Sequence, residues 1–130
     1  PDYILAGANG GLVPAAILKH ALGVESIGAV QMAHYNRERT RKKGGAQMYG
    51  LLPSPIRNRY PRHILVVDEV VETGDTLRTL EGELDGFCPR VTWAALYLKR
   101  HSISGLPEHF FFARRVDPET WLKFPWETTV

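Results

Sequence analysis

The chain has 130 residues, 44% hydrophobic and 23% charged, with a formal net charge of +2 and one cysteine. This length suits one domain over residues 1–130, and the composition excludes a disordered or collagen-like chain. A lone Cys88 excludes an intrachain disulfide framework and a multi-cysteine zinc site, and neither a membrane-length apolar run nor a basic-then-apolar leader is present.

Tyr3-Ile-Leu-Ala is an apolar run that enters Gly7-Ala-Asn-Gly-Gly11, a buried strand leading into a tight loop. The spacing predicts a helix over 12–22, with Pro14 in its first turn and Gly23 as its stop. Its expected apolar stripe is Val13, Ile17, Leu18, Ala21 and Leu22. Residues 26–33 read as a second strand, which completes a parallel crossover unit. Residues 34–50 are polar, basic and without period, as in a binding loop. Residues 51–62 carry Pro53, Pro55 and Pro61 and read as a connection. His63 to Val67 is the clearest buried strand. A helix follows over 76–84, with Leu77, Leu80 and Leu84 on one face and Arg78, Glu81 and Asp85 outward. Strands are expected at 91–98 and 110–113, then an aperiodic tail. Alternating strands and helices imply an α/β fold: a mainly parallel sheet flanked by helices, with its ligand site beyond the carboxyl ends of the strands.

The charges are segregated. Between residues 34 and 63, Arg37, Arg39, Arg41, Lys42, Lys43, Arg57, Arg59 and Arg62 face only Glu38. Between residues 68 and 85, Asp68, Glu69, Glu72, Asp75, Glu81, Glu83 and Asp85 face only Arg78. Such polarity suits a ligand with phosphates at one end and a chelated metal at the other. The strongest local signal is Val66-Val-Asp-Glu-Val-Val-Glu-Thr-Gly-Asp-Thr-Leu77. Two adjacent carboxylates leave a buried strand. A turn with Thr73, Gly74 and Thr76 then opens a helix, whose free N–H groups and partial positive charge can hold a phosphate. Asp68 and Glu69 supply acceptors for sugar hydroxyls or for hydrated magnesium.

This segment resembles the signature of the type I phosphoribosyltransferases, enzymes that use 5-phosphoribosyl 1-diphosphate (PRPP). The resemblance implies that Asp68 and Glu69 hold the ribose hydroxyls and the metal side, largely through ligand or water. Thr73, Gly74, Asp75, Thr76 and Leu77 would wrap the 5-phosphate, and Glu72 would be the catalytic base. Gly7-Ala-Asn-Gly-Gly-Leu-Val-Pro-Ala15 resembles the family's diphosphate loop, assigning Asn9, Gly10 and Gly11 to the diphosphate, with backbone amides of the two glycines facing it. The basic residues of the 34–50 segment correspond to a mobile loop that closes over the site.

Val91-Thr-Trp-Ala-Ala-Leu-Tyr-Leu-Lys99 and the tail Trp121-Leu-Lys-Phe-Pro-Trp-Glu127 are similar to the bacterial and archaeal xanthine-guanine and hypoxanthine enzymes. By that similarity Lys99 donates to the O6 of a 6-oxopurine, Trp121 stacks on the base, the Leu122 carbonyl meets its edge, and Glu127 accepts from a 2-amino group or organises the diphosphate side. Trp126 is expected in the core. The implied activity is transfer of phosphoribose from PRPP to a 6-oxopurine with Mg2+ and release of diphosphate, in cytoplasmic purine salvage. A homo-oligomer, dimer or tetramer, is implied, with no nucleic-acid or membrane partner. The family's helix before the first strand has no counterpart in this sequence. Asn9, Glu72 and Asp75 depart from the usual pattern and motivate an alternative, a non-catalytic PRPP- or nucleotide-sensing module on the same fold.

Overall fold

The computed structural model describes residues 1–34 and 46–127. Along the chain the elements are β1 (Tyr3–Ala8), α1 (Leu12–Leu22), β2 (Ile27–His34), β3 (Ala46–Tyr49), α2 (Ser54–Arg57), β4 (His63–Val71), α3 (Asp75–Leu84), β5 (Arg90–Leu98) and β6 (Phe110–Arg115). The strands form one sheet in the order β3-β2-β1-β4-β5-β6. Every pairing is parallel except β2 with β3. The expected α/β architecture is therefore present.

Because strand side chains alternate, β1 and β4 each feed two cores. Tyr3, Leu5, Ile64 and Val66 pack with Ile56 of α2 and with Leu77, Leu80 and Leu84 of α3. Ile4, Ala6, Leu65 and Val67 pack on the other face with Ala15 of α1 and with Val24. From β1 the chain winds toward β2, and from β4 it winds toward β5. The strand order thus reverses between β1 and β4, and the crevice beyond their carboxyl ends is where such sheets bind ligands. Pairing of β1 with β4 stops at Ala6 opposite Val67. Pairing of β4 with β5 continues through Asp68 opposite Ala95 to Val71 opposite Leu98. Asp68 is thus the first residue of β4 to stand beside an open crevice.

Four expectations need correction. First, β4 does not end at Val67: it runs four residues further, with Asp68, Val70 and Val71 paired to β5, so the acidic pair lies within a strand. Second, the segment 34–50 is not wholly loop. Residues Ala46–Tyr49 form β3, with Met48 inward opposite Met32 and Thr79 of α3 donating its hydroxyl to the Ala46 carbonyl at 3.2 Å. Four residues are too few for alternation to register in the sequence. Arg37, Arg39, Arg41, Lys42 and Lys43 lie outside the described residues.

Third, residues 51–62 contain α2, which starts at Ser54 with Pro55 in its first turn and buries Ile56 completely. Proline is compatible with a helix start, so those prolines do not exclude a helix. Fourth, α1 does not pack through its large residues. Ile17 is 59% and Leu22 is 51% exposed, and the buried positions are Gly11, Pro14 and Ala15, with Leu18 partly covered. These four follow helical spacing, so the buried stripe is real but made of small residues. The cause is the approach of the backbone: a Cβ at Gly11 would overlap the Val67 carbonyl, so the helix start lies directly against β4.

Candidate active site

A cavity of about 420 Å³ opens beyond the carboxyl ends of β1 and β4. Its lining includes Gly7, Gly10, Asp68, Glu72 and the whole turn from Thr73 to Leu77. Of the sugar and 5-phosphate residues inferred from the sequence, Asp68 and Thr73 to Leu77 line this crevice, whereas Glu69 does not.

Asp68 is partly buried, and its Oδ1 accepts the backbone N–H of Glu69 at 2.7 Å. Burial raises its pKa to about 6; the Glu69 N–H opposes that rise and the Glu69 charge adds to it. Burial also raises Glu69, against a hydrogen bond from Trp126 that lowers it, with the Glu127 charge adding to the rise. The Trp126 Nε1–H donates to Glu69 Oε2 at 2.8 Å. Expected in the core, Trp126 is instead 37% exposed and bonded to one of the two acids.

The turn after β4 is held from behind. Gly74 adopts φ +88°, a left-handed conformation that glycine takes without strain, and it caps α3. A Cβ there would lie 2.8 Å from Arg78 Nη1 and 3.4 Å from Arg100 Nη1. Both guanidinium groups converge on the Thr73 carbonyl, Arg78 Nη2 at 3.0 Å and Arg100 Nη1 at 2.9 Å. Arg100 also donates to the Ser104 carbonyl at 2.8 Å and Arg78 to the Gly105 carbonyl at 3.3 Å. The segment after β5 is thereby clasped to the phosphate turn.

Arg78 pairs with Asp75 at 2.6 Å as well, which answers the problem Asp75 poses. Its carboxylate is compensated by a cation one helical turn away and need not repel a bound phosphate. The Asp75 N–H donates to Thr73 Oγ1 at 3.1 Å, so that amide is engaged within the turn. No sequence signal marks Arg100 beyond its place after Lys99. The spacing of Asp75 and Arg78 could have revealed their pair.

At the other loop the Ala8–Asn9 peptide is cis. Gly10 lines the cavity, but Gly11 does not present its amide as expected, because its N–H donates to the Gly7 carbonyl at 2.7 Å. Its role is the close packing of α1 on β4. Asn9 is exposed and does not line the cavity, and its carbonyl accepts the Leu12 N–H at 3.1 Å.

On the base side, Lys99 Nζ stands 3.4 Å from Glu72 Oε2, so the expected O6 donor and the expected base are neighbours. The Lys99 backbone N–H donates to Val71 at 2.8 Å, which anchors this pair between β4 and β5. The tail is less convergent. Trp121 is 86% exposed and does not line the cavity, and Leu122 is half-buried outside it. Glu127 does not reach the cavity either: its Oε1 accepts the Phe124 N–H at 2.8 Å, which closes a turn within the tail. Among the described residues no three histidines, cysteines or acids gather as a metal cage.

No family model matches the chain. It is similar to the xanthine-guanine phosphoribosyltransferase of Gluconobacter oxydans, with 31% identity over 125 residues, covering 96% of this chain and 68% of that protein. Among solved structures it resembles a purine phosphoribosyltransferase from Pyrococcus horikoshii, at 26% identity and a TM-score of 0.75, covering 100% of this chain and 80% of the other. It also resembles a Neisseria gonorrhoeae protein solved with bound ppGpp, at 27% identity and a TM-score of 0.74, covering 98% and 74%. The similarity of fold, the acids at the reversal point of the sheet and this relationship agree: the chain belongs to the type I phosphoribosyltransferases, among their purine enzymes.

Proposed function

We propose that the protein transfers phosphoribose from PRPP to a 6-oxopurine and releases diphosphate. The observation that carries this reading is one cavity lined by Asp68, Glu72 and the Thr73–Leu77 turn at the reversal point of the sheet. PRPP would lie with its 5-phosphate on that turn, its ribose hydroxyls on Asp68 and Glu69, and its diphosphate toward Gly10. The Glu72 and Lys99 pair supports a 6-oxopurine. A carboxylate beside an ammonium offers an acceptor to a ring N–H and a donor to the adjacent O6, and the amino group of adenine would meet the ammonium as donor against donor. Trp121, already exposed, would supply the flat face for the base, with Leu122 and Glu127 near its edge.

In the reaction the bond from C1 to the diphosphate oxygen breaks with its electron pair leaving on the diphosphate. The purine nitrogen forms the new bond to C1, and the purine proton passes to Glu72. Carboxylates beneath the sugar stabilise the positive charge that develops there. Adjacent carboxylates suit magnesium, which keeps water and phosphate oxygens in its shell, so Asp68 and Glu69 would hold it mostly through those groups. When bound, the ion neutralises charge on the departing diphosphate.

Cytoplasmic salvage and a dimer or tetramer belong to the same reading, and sedimentation velocity reads the assembly. No helix among the described residues is long and apolar enough to cross a membrane. The deciding experiment mixes the protein, magnesium and PRPP with hypoxanthine, guanine, xanthine or adenine in turn. Diphosphate release with a 6-oxopurine and little with adenine is expected, and no release with any base sinks the proposal. Calorimetric binding of PRPP without turnover would favour the sensing module instead.

A further inference from the structure

We propose that Trp126 is a positioning residue for the sugar-holding carboxylate of Glu69. The inference rests on the functional reading above and adds a residue to it. The Glu69 carboxylate is held on one side by the tail and lies close to the diphosphate loop on the other. Its Oε2 accepts the Trp126 Nε1–H at 2.8 Å, and its Oε1 lies 3.0 Å from the point a Cβ on Gly10 would occupy. One glutamate therefore spans from the tail to the diphosphate loop.

The partner suits the task. An indole nitrogen can only donate, so it orients a carboxylate without competing for the acceptor capacity that sugar hydroxyls need. Each carboxylate oxygen has two lone pairs, and the bond to Trp126 uses one of the four. Burial and the like charge of Glu127 oppose an ionised Glu69 in this place, and the indole N–H offsets part of that opposition.

Trp126 is itself fixed by packing. Its ring stacks on Phe124 at 5.2 Å with an interplanar angle of 13°. Phe124 is buried and packs on Tyr97 of β5 at 5.7 Å. The turn is closed in both directions, with the Phe124 N–H donating to Glu127 Oε1 at 2.8 Å and the Glu127 N–H to the Phe124 carbonyl at 3.0 Å. A line of contacts thus runs from the sheet through the tail to the carboxylate. A glutamate has several rotatable bonds, and this line of contacts fixes where its head sits.

The test is Trp126→Phe, which keeps the stacked ring and removes the N–H. The KM for PRPP should rise about fivefold to tenfold while kcat stays within about twofold and the purine KM does not move. A structural staple alone would lower the amount of folded enzyme and leave both KM values unchanged. The second measurement needs no variant to be active. In wild-type protein the three indole N–H resonances are recorded by NMR and Trp126 is assigned by its loss in the variant. That resonance should shift on addition of PRPP without purine. An unchanged PRPP KM, a lowered one, or an indole signal indifferent to PRPP overturns the inference alone. Wild-type protein that neither binds nor consumes PRPP overturns the functional reading and this inference with it.

Discussion

Replacing Asp68 with asparagine should stabilise the protein at neutral pH and cost it PRPP binding. Asparagine keeps the shape and still offers an oxygen to the Glu69 N–H, now accepted at 2.7 Å by Asp68 Oδ1. What it removes is a charge held out of water. The Asp68 pKa rises from 3.8 to about 6, mainly through burial. A raised carboxylate binds its proton more tightly folded than unfolded. Its stabilising contribution is therefore complete below about pH 4 and is lost as pH rises through about 6. The shift corresponds to about 3 kcal/mol at full strength, and water at the cavity mouth screens part of it, leaving about 1–3 kcal/mol. Urea unfolding of both proteins across this range reads the effect. The two stabilities should converge near pH 4 and separate as the pH rises, with the variant ahead by that amount above about pH 6.5. Adding PRPP should protect the wild type and not the variant. A variant less stable than wild type at neutral pH, or a difference that does not vary with pH, refutes the claim that Asp68 is an acid strained by its burial.

Other substitutions probe other parts. Glu72→Gln should lower kcat by about a hundredfold or more with little change in the PRPP KM, as expected for loss of the group that takes the purine proton, read by diphosphate release. Trp121→Ala should raise the purine KM between about fivefold and a hundredfold from lost stacking. It should leave the melting temperature unchanged, because the ring is 86% exposed. Gly11→Ala drives a methyl group into the Val67 and Gly7 carbonyls and should cost about 1–3 kcal/mol in urea unfolding, a loss absent if α1 can lift off β4 freely.

What could be read from the sequence was local. The run from Val66 to Leu77 carries its strand, turn and helix start in adjacent residues, and the structure keeps them in one place. The limits of α1 and the stripe Leu77, Leu80 and Leu84 were also evident, because turn residues and large aliphatic groups mark them. The packing side of α1 was not. Hydrophobicity scales rank residues by size, while that interface is built from Gly11, Pro14 and Ala15. Nor could the engaged amide of Gly11 be seen, since glycine is equally suited to bind a ligand and to pack closely. The bond from Trp126 to Glu69 joins residues far apart in the chain, and the clasp from Arg100 to Thr73 ends on a carbonyl, which no residue pattern encodes.

The two cores are unequal. The face under α2 and α3 holds Leu5, Ile56, Val66, Leu77, Leu80, Leu84, Trp93 and Leu98, whereas the face under α1 holds Ile4, Ala6, Ala15, Val24, Leu65 and Val67. Local opening costs least where little apolar area is covered. Amide protons of α1 should therefore exchange with solvent well before those of α3. The phosphate turn leads into the stiff layer and Gly10 into the compliant one, so the cavity has a fixed jaw and a yielding jaw. On the proposed chemistry the jaw that gives way first is the one beside the departing diphosphate, and product can leave while the grip on the sugar phosphate persists.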